Sequence, residues 1–347
     1  FIGNANSVHE AGNAARAEMA RITDSIASAL SVLPSEIIYT SGASEANNTA
    51  IRGIARAQRH IGKHILASVL DHPSASAALT HLQERGYEID LVGITREGKV
   101  DLDALSELLR KDTILVVLTA VDSELGTVQP VSAVRDLLKN YPDCRLHVDA
   151  TQAIGKIPFS FAEADTACFA PHKFYGLCGT GILIKKEKIA MEPLIYGGAG
   201  TTLYRSGTPT VGLAASTEKA LLKAGENLSE NLSHVTKLNE TLRGFFKNYP
   251  LVRINSPADA VPHIINISVA GVRGVKFREK LNECGVCVSV KSACSSDGLP
   301  SRAVMAVSGD RKNALSSFRI SLGAVTTEEE ISQFQTIFDQ CYRELTK

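Results

Sequence analysis

Short runs of β-branched and aliphatic residues alternate with longer amphipathic stretches through the first two-thirds of the chain, and the two periodicities predict different elements. "EIIYTSG" (36–42), "HILASVLDH" (64–72), "EIDLVGI" (88–94), "TILVVLTAV" (113–121), "RLHVDA" (145–150), "DTACFA" (165–170) and "GILIKK" (181–186) read as strands. Between several of them, "SEANNTAIRGIARAQRH", "PSASAALTHLQERG" and "VSAVRDLLKNYP" carry helical spacing. Such alternation predicts βαβ units and a largely parallel sheet covered by helices on both faces.

The pattern changes after residues 205–248, which read as one or two long helices. "HIINISVAG" (263–271), "CGVCVSVKSAC" (284–294) and "SSFRISLG" (316–323) are expected strands beside the helices "VKFREKLNE" and "TEEEISQFQTIFDQCYREL". This predicts a large domain over 1–229, whose first residues pack with the small domain, and a smaller α+β domain over 230–347. A chain of 347 residues fits that division, because single cores stop growing at roughly 250–300 residues.

Lys+Arg and Asp+Glu both number 37, so no basic excess tracks a nucleic-acid backbone or an anionic membrane surface. No apolar run approaches the roughly 18 residues of a membrane helix, and residues 1–15 lack a signal-peptide pattern. A cytoplasmic protein with no direct membrane contact and no default nucleic-acid partner is expected. The seven Cys are scattered and odd in number, which argues against a disulfide framework and leaves a thiol for chemistry. Cys284 and Cys287 have CxxC spacing, but no second pair and no His follow at ligand spacing, so no metal is expected.

Ligands of open α/β sheets collect beyond the carboxyl ends of strands. Four polar clusters fall there. Ser41, Gly42, Ala43 and Ser44 form a strand-to-helix turn able to bind a phosphate through backbone N–H groups, or to serve as an ordinary helix cap. Asp71-His72 brings an imidazole to a strand end. Asp149 and Gln152 end another strand, where a buried carboxylate needs a partner. Lys173 follows His172, and a desolvated lysine near other cations attacks carbonyls readily. Glycines 176, 179 and 181 let the backbone close tightly behind it. An acidic residue, a Schiff-base lysine and a phosphate cradle together are what a protein supplies to pyridoxal 5′-phosphate.

At these residues the sequence resembles a family. "SGASE" (41–45), "ELGTVQP" (124–130), "HVDATQAIGKIP" (147–158), "HKFYGLCGTG" (172–181), "RSGT" (205–208), "SAC" (292–294) and "SSFRISLG" are similar to the NifS-like cysteine desulfurases, in the class V aminotransferase group. The resemblance runs in order over essentially the whole chain. It implies pyridoxal-phosphate fold type I: a mainly parallel seven-stranded sheet between helices, with a smaller α+β C-terminal domain. It implies that Lys173 holds the cofactor as a Schiff base, Asp149 pairs with the pyridine nitrogen, Gln152 contacts the ring hydroxyl and His72 stacks on the ring. Ala43, Ser44, His172 and, from the partner subunit of a homodimer, Thr208 would bind the phosphate. Arg319, with Ser123 nearby, would hold the substrate carboxylate. Cys294 would take sulfur from L-cysteine as a persulfide on a long mobile loop, for transfer to an acceptor or scaffold protein of iron–sulfur cluster assembly or a related pathway.

The chain departs from the family at Ala170, where Ser is usual, at Ser123, where Asn is usual, and at Lys291, which replaces Gly. Lys291 could depress the Cys294 thiol pKa or simply point to solvent. The opening "FIGNANSVHEAG" resembles the family's second stretch, so a longer protein with a preceding strand is expected. Alternatives are a related lyase acting on selenocysteine or cystine, and a non-catalytic paralogue.

Overall fold

The apolar runs become strands and the amphipathic stretches helices in the computed structural model, which describes residues 3–198, 202–291 and 299–347. In chain order the first part comprises α1 (Glu10–Leu30), β1 (Ile37–Thr40), α2 (Ala43–Ala57), β2 (His64–Ser68), α3 (Pro73–Gln83), β3 (Glu88–Val92), α4 (Leu102–Leu108), β4 (Thr113–Thr119), α5 (Val131–Leu138), β5 (Arg145–Asp149), β6 (Thr166–Phe169), β7 (Gly181–Lys185) and α6 (Val211–Glu226). Then come α7 (Leu228–Phe246), β8 (Val252–Ile254), β9 (Ile264–Val269), α8 (Gly274–Glu283), α9 (Arg302–Ser308), α10 (Arg311–Ser316), β10 (Ser317–Ser321) and α11 (Glu328–Leu345).

Seven strands form one sheet in the order β1-β7-β6-β5-β4-β2-β3, parallel from β6 to β3, with β7 antiparallel to both its neighbours. Central parallel strands are covered on both faces, which is why β2 and β4 are buried at every position while the edge strand β3 is mixed. Truncating Ile114 or Leu115 to Ala would cost about 2–5 kcal/mol. Helix α2 packs along β4, β5, β6 and β7, and Ile51, Ile54 and Ala55 join Ile65, Leu115 and Leu183 in the core.

A second sheet, β10-β9-β8, is antiparallel and has its own core of α7, α8 and α11 residues, with Phe338 meeting the rings of Phe246 and Phe277. The chain divides into two compact units: Phe1–Val92, Leu102–Ala120 and Pro130–Leu228 form the first, and Gly93–Asp101, Val121–Gln129 and Ser229–Lys347 the second. The two early segments of the second unit are tied in by hydrogen bonds to main-chain carbonyls: Val261 N donates to Gly126 O at 2.9 Å, and the Thr127 hydroxyl Oγ1 to Glu97 O at 3.1 Å. No described helix is long and apolar enough to cross a membrane.

One expected strand is corrected. Of "CGVCVSVKSAC", Cys284 caps α8, and only an isolated bridge from Ser289 to Arg319 follows; residues 292–294 lie outside the described residues. Its apolar residues are consumed differently, since Val286, Val288 and Val290 pack on the second core without continuing a ladder.

Candidate active site

In the first unit, the carboxyl end of β5 carries Asp149, buried at 7% exposure. Its Oδ1 accepts from Thr151 N at 3.0 Å and its Oδ2 from Asn47 Nδ2 at 2.8 Å. No described residue forms an ion pair with it, so a buried carboxylate is held by neutral donors alone. Its donor Asn47, fully buried on α2, also donates to Ser74 Oγ at 2.8 Å, while its Oδ1 meets His147 Nε2 at 2.8 Å and accepts from Cys168 Sγ at 3.0 Å. Burial pushes the His147 imidazole down to about 4, against the opposing charge of Asp149. Burial also pushes the Cys168 thiol well up, with Asp149 acting in the same sense, so it stays a protonated donor.

His72 caps the N-terminus of α3: its Nδ1 accepts from Ser74 N at 3.2 Å and lies 2.9 Å from Ser74 Oγ. The preceding Asp71 fixes the strand ends, accepting from Ser68 N at 3.0 Å and Thr119 N at 2.8 Å. Gln152, expected at a ring hydroxyl, accepts from Lys156 Nζ at 2.6 Å.

The turn before α2 is capped by Gly42, with no side chain bonded to the helix start. This removes the ordinary reading of Ser41 or Ser44 as the cap and leaves the first N–H groups, at Ala43 and Ser44, directed out of the helix. Glu45 in the first turn bonds Arg205 at 2.9 Å and Ser41 N at 2.8 Å. Burial alone would raise its carboxyl, but Arg205 and Ser41 outweigh that and hold it below the usual range. Arg205 belongs to the segment that carries Thr208, which is exposed.

Lys173 lies on a single 3₁₀ turn, Pro171–Phe174, directly after β6. Pro171 and Phe174 are buried and anchor it, while His172 and Lys173 are exposed, which corrects the expected desolvation of Lys173: the turn buries its two apolar residues and lifts the basic pair out. Burial, then the charges of Lys173 and Lys156, push the His172 imidazole down. Tyr175 adopts the left-handed conformation (φ 70), which costs an L-residue about 1–2 kcal/mol. The glycines permit close approach: a Cβ on Gly176 would lie 2.6 Å from Pro171 Cβ, and one on Gly181 2.6 Å from Gly42. Ala170 is buried and makes no side-chain cap to the turn.

In the second unit, Arg319 on β10 donates through Nη1 to Ser123 O at 2.7 Å. Its Nε is buried without a hydrogen-bond partner among the described residues. Burial pushes the guanidinium down, and Glu124 and Asp122 oppose that. Asp122 is buried, accepts from Glu124 N and Leu125 N, and is pushed up to about 7, first by burial and then by Glu124. Glu124 is raised by burial against the pull of Ser301, which donates to it at 2.5 Å, and of Arg319 and Lys291. Lys291 is buried, so the alternative in which it points to solvent is overturned. Cys294 lies outside the described residues.

The structure thus joins Asp149, His72 and the α2 start in the first unit and Ser123 with Arg319 in the second. Sequence reading missed Asn47 and Ser74; the only signal was a polar pair, Asn47-Asn48, beside an apolar helix face.

The residues of the first unit suit pyridoxal phosphate. A buried carboxylate with only neutral donors wants a protonated ring nitrogen, and a helix start with no side-chain cap leaves N–H groups that suit a phosphate.

A family model described as aminotransferase class V matches residues 1–334. The chain is 34% identical to the cysteine desulfurase IscS of Dictyoglomus turgidum, over 99% of this chain and 88% of that protein. It is 33% identical to a NifS/IcsS protein homolog of Lactobacillus delbrueckii subsp. bulgaricus, over 99% and 91%. Among solved structures it is similar to a NifS-like protein, with a TM-score of 0.92, 32% identity and coverage of 99% and 92%. SspA, solved in complex with cysteine, is similar with a TM-score of 0.81, 25% identity and coverage of 94% and 92%.

Proposed function

We infer the reaction from one premise: the chain belongs to the class V aminotransferase family, among the NifS-like cysteine desulfurases. It is a pyridoxal-phosphate-dependent cysteine desulfurase, and L-cysteine is its substrate. The observation that carries the residue roles is Asp149, a buried carboxylate held by neutral donors. When bound, pyridoxal phosphate supplies an electron sink for the substrate's α-carbon.

Lys173 would hold the cofactor through Nζ and then move protons at the substrate's α- and β-carbons. Asp149 would keep the pyridine nitrogen protonated, Gln152 would orient the ring and His72 would lie against it. Ala43, Ser44 and His172 would bind the phosphate, joined by Thr208 of a partner protomer in a homodimer; the exposure of Thr208 in its own protomer supports that assignment. Arg319 would take the substrate carboxylate, supported by its unfilled Nε, since Nη1 is committed to Ser123 and a guanidinium fork bonds carboxylates in pairs.

Cys294 would accept the sulfur: its thiol and L-cysteine give L-alanine and a Cys294 persulfide, a sulfur atom moving from carbon to sulfur. An acceptor or scaffold protein, as in iron–sulfur cluster assembly, would then take it. The free thiols of the six described cysteines suit the expected cytoplasmic setting.

The test is to incubate the protein and pyridoxal phosphate with L-cysteine and a thiol reductant, and to measure sulfide and alanine. Equal yields are expected, both lost in Cys294→Ala and reduced by about 10³-fold or more in Lys173→Ala. Sulfide that survives Cys294→Ala would remove the persulfide step.

A further inference from the structure

The polar network behind Asp149 is closed by its own chemistry. Asn47 makes all four of its hydrogen bonds: Nδ2 donates to Asp149 Oδ2 and Ser74 Oγ, and Oδ1 accepts from Cys168 and meets His147. Turning the amide over would set Oδ1 against the Asp149 carboxylate, acceptor against acceptor. The carboxylate therefore fixes the amide. With Oδ1 facing His147, the hydrogen of that imidazole sits on Nε2, and its Nδ1 takes the hydroxyl hydrogen of Thr166 at 2.9 Å.

The same logic runs outward through Ser74. Its Oγ accepts from Asn47, so its own hydrogen is left to donate across the 2.9 Å to His72 Nδ1. That nitrogen also accepts from Ser74 N at 3.2 Å. Two donors on Nδ1 leave the hydrogen of the neutral ring on Nε2.

We propose that Asn47 and Ser74 are positioning residues of the desulfurase: through one hydrogen-bond chain the Asp149 carboxylate sets both the orientation of His72 and its tautomer, Nε2–H. This rests on the reading that Asp149 and His72 face the cofactor. It links the group that would hold the ring nitrogen to the imidazole that would lie against the ring face through two residues that act by way of Asp149 and His72. Such supporting partners commonly change activity by about ten- to a hundredfold when removed.

The experiment is nitrogen NMR of histidine-labelled full chain at neutral pH, with and without pyridoxal phosphate, assigning His72 by the signal lost in His72→Asn. The wild type is expected to show His72 as the Nε2–H form. Ser74→Ala, which removes the shorter donor on Nδ1 and keeps the 3.2 Å backbone one, should add some Nδ1–H form to the Nε2–H form and lower kcat about tenfold with KM for L-cysteine little changed, while Ser74→Thr, which keeps the hydroxyl, should restore both. Asn47→Ala should repeat the tautomer change, with a retained melting transition showing that it folds; Ser74→Ala carries the test if Asn47→Ala does not. An Nδ1–H form in the wild type, or one unchanged tautomer across wild type and Ser74→Ala, overturns the inference. The spectrum needs no turnover, so that failure is distinct from absence of sulfide in the wild type, which would overturn the desulfurase reading itself.

Discussion

The two units bury charge in opposite ways. Around Asp149 a single carboxylate is surrounded by neutral hydrogen-bond donors, and its negative charge has no ion-pair partner among the described residues. Around Arg319 charges crowd together: Asp122, Glu124 and Lys291 all act on one another or on the guanidinium, yet the Arg319 Nε is left without an acceptor. The first centre offers an anion to a cationic ligand atom, and the second offers a cation to an anionic one. A protonated pyridine nitrogen and an amino-acid carboxylate are complementary to these two offers, and the Arg319 Nε leaves a bond unmade that a ligand can supply.

Removing one charge should therefore act oppositely on stability in the two places. Asp149→Asn keeps the shape and deletes the uncompensated charge, while its amide NH2 gives up one of the two accepted hydrogen bonds. We expect kcat/KM to fall by about 10²–10³-fold while the cofactor-free protein melts at the same temperature or higher, because an isolated buried charge is costly. A clear loss of melting temperature would show that Asp149 is compensated after all.

Arg319→Gln should raise KM for L-cysteine by about thirtyfold or more with cofactor affinity kept. It should also lower the melting temperature, since Asp122 and Glu124 lose a compensating charge. An unchanged KM would remove Arg319 from the substrate site.

The smallest expected effect is a pH dependence at Asp122. Its folded value, about 7, lies above its ordinary 3.8, so the folded state holds the proton more tightly. That contribution to stability is present below 3.8 and is lost as pH rises through 7. Asn at this position keeps the oxygen that accepts from Glu124 N and Leu125 N. Asp122→Asn should thus match the wild type in acid and exceed its melting temperature by about 3 °C at pH values above 7. A gain that is equal at all pH values would mean that Asp122 is not the titrating group.

Residue type and local spacing were enough for some of this chemistry. Asp149 ends an apolar run, and Lys173 follows another before glycines, so their placement at strand ends could be read directly. Asn47 could not. In a helix, a polar residue next to a polar residue looks like a solvent face, and only the packing of α2 along β5 and β6 buries it beside Asp149. The strand expected at 284–294 failed for a related reason: a β-branched run can bury its side chains on a neighbouring core without forming a ladder.

By itself, the sequence determined the order of elements, the mainly parallel sheet and the residue types at the strand ends, because periodicity and turn chemistry are local properties of the chain. Only the tertiary structure decided which charges are compensated. Whether Asp149 meets neutral donors or a cation, whether Lys291 is buried and which atom of Arg319 is left unpaired depend on groups many residues apart in sequence. A buried charge is governed by those neighbours and by the water they exclude.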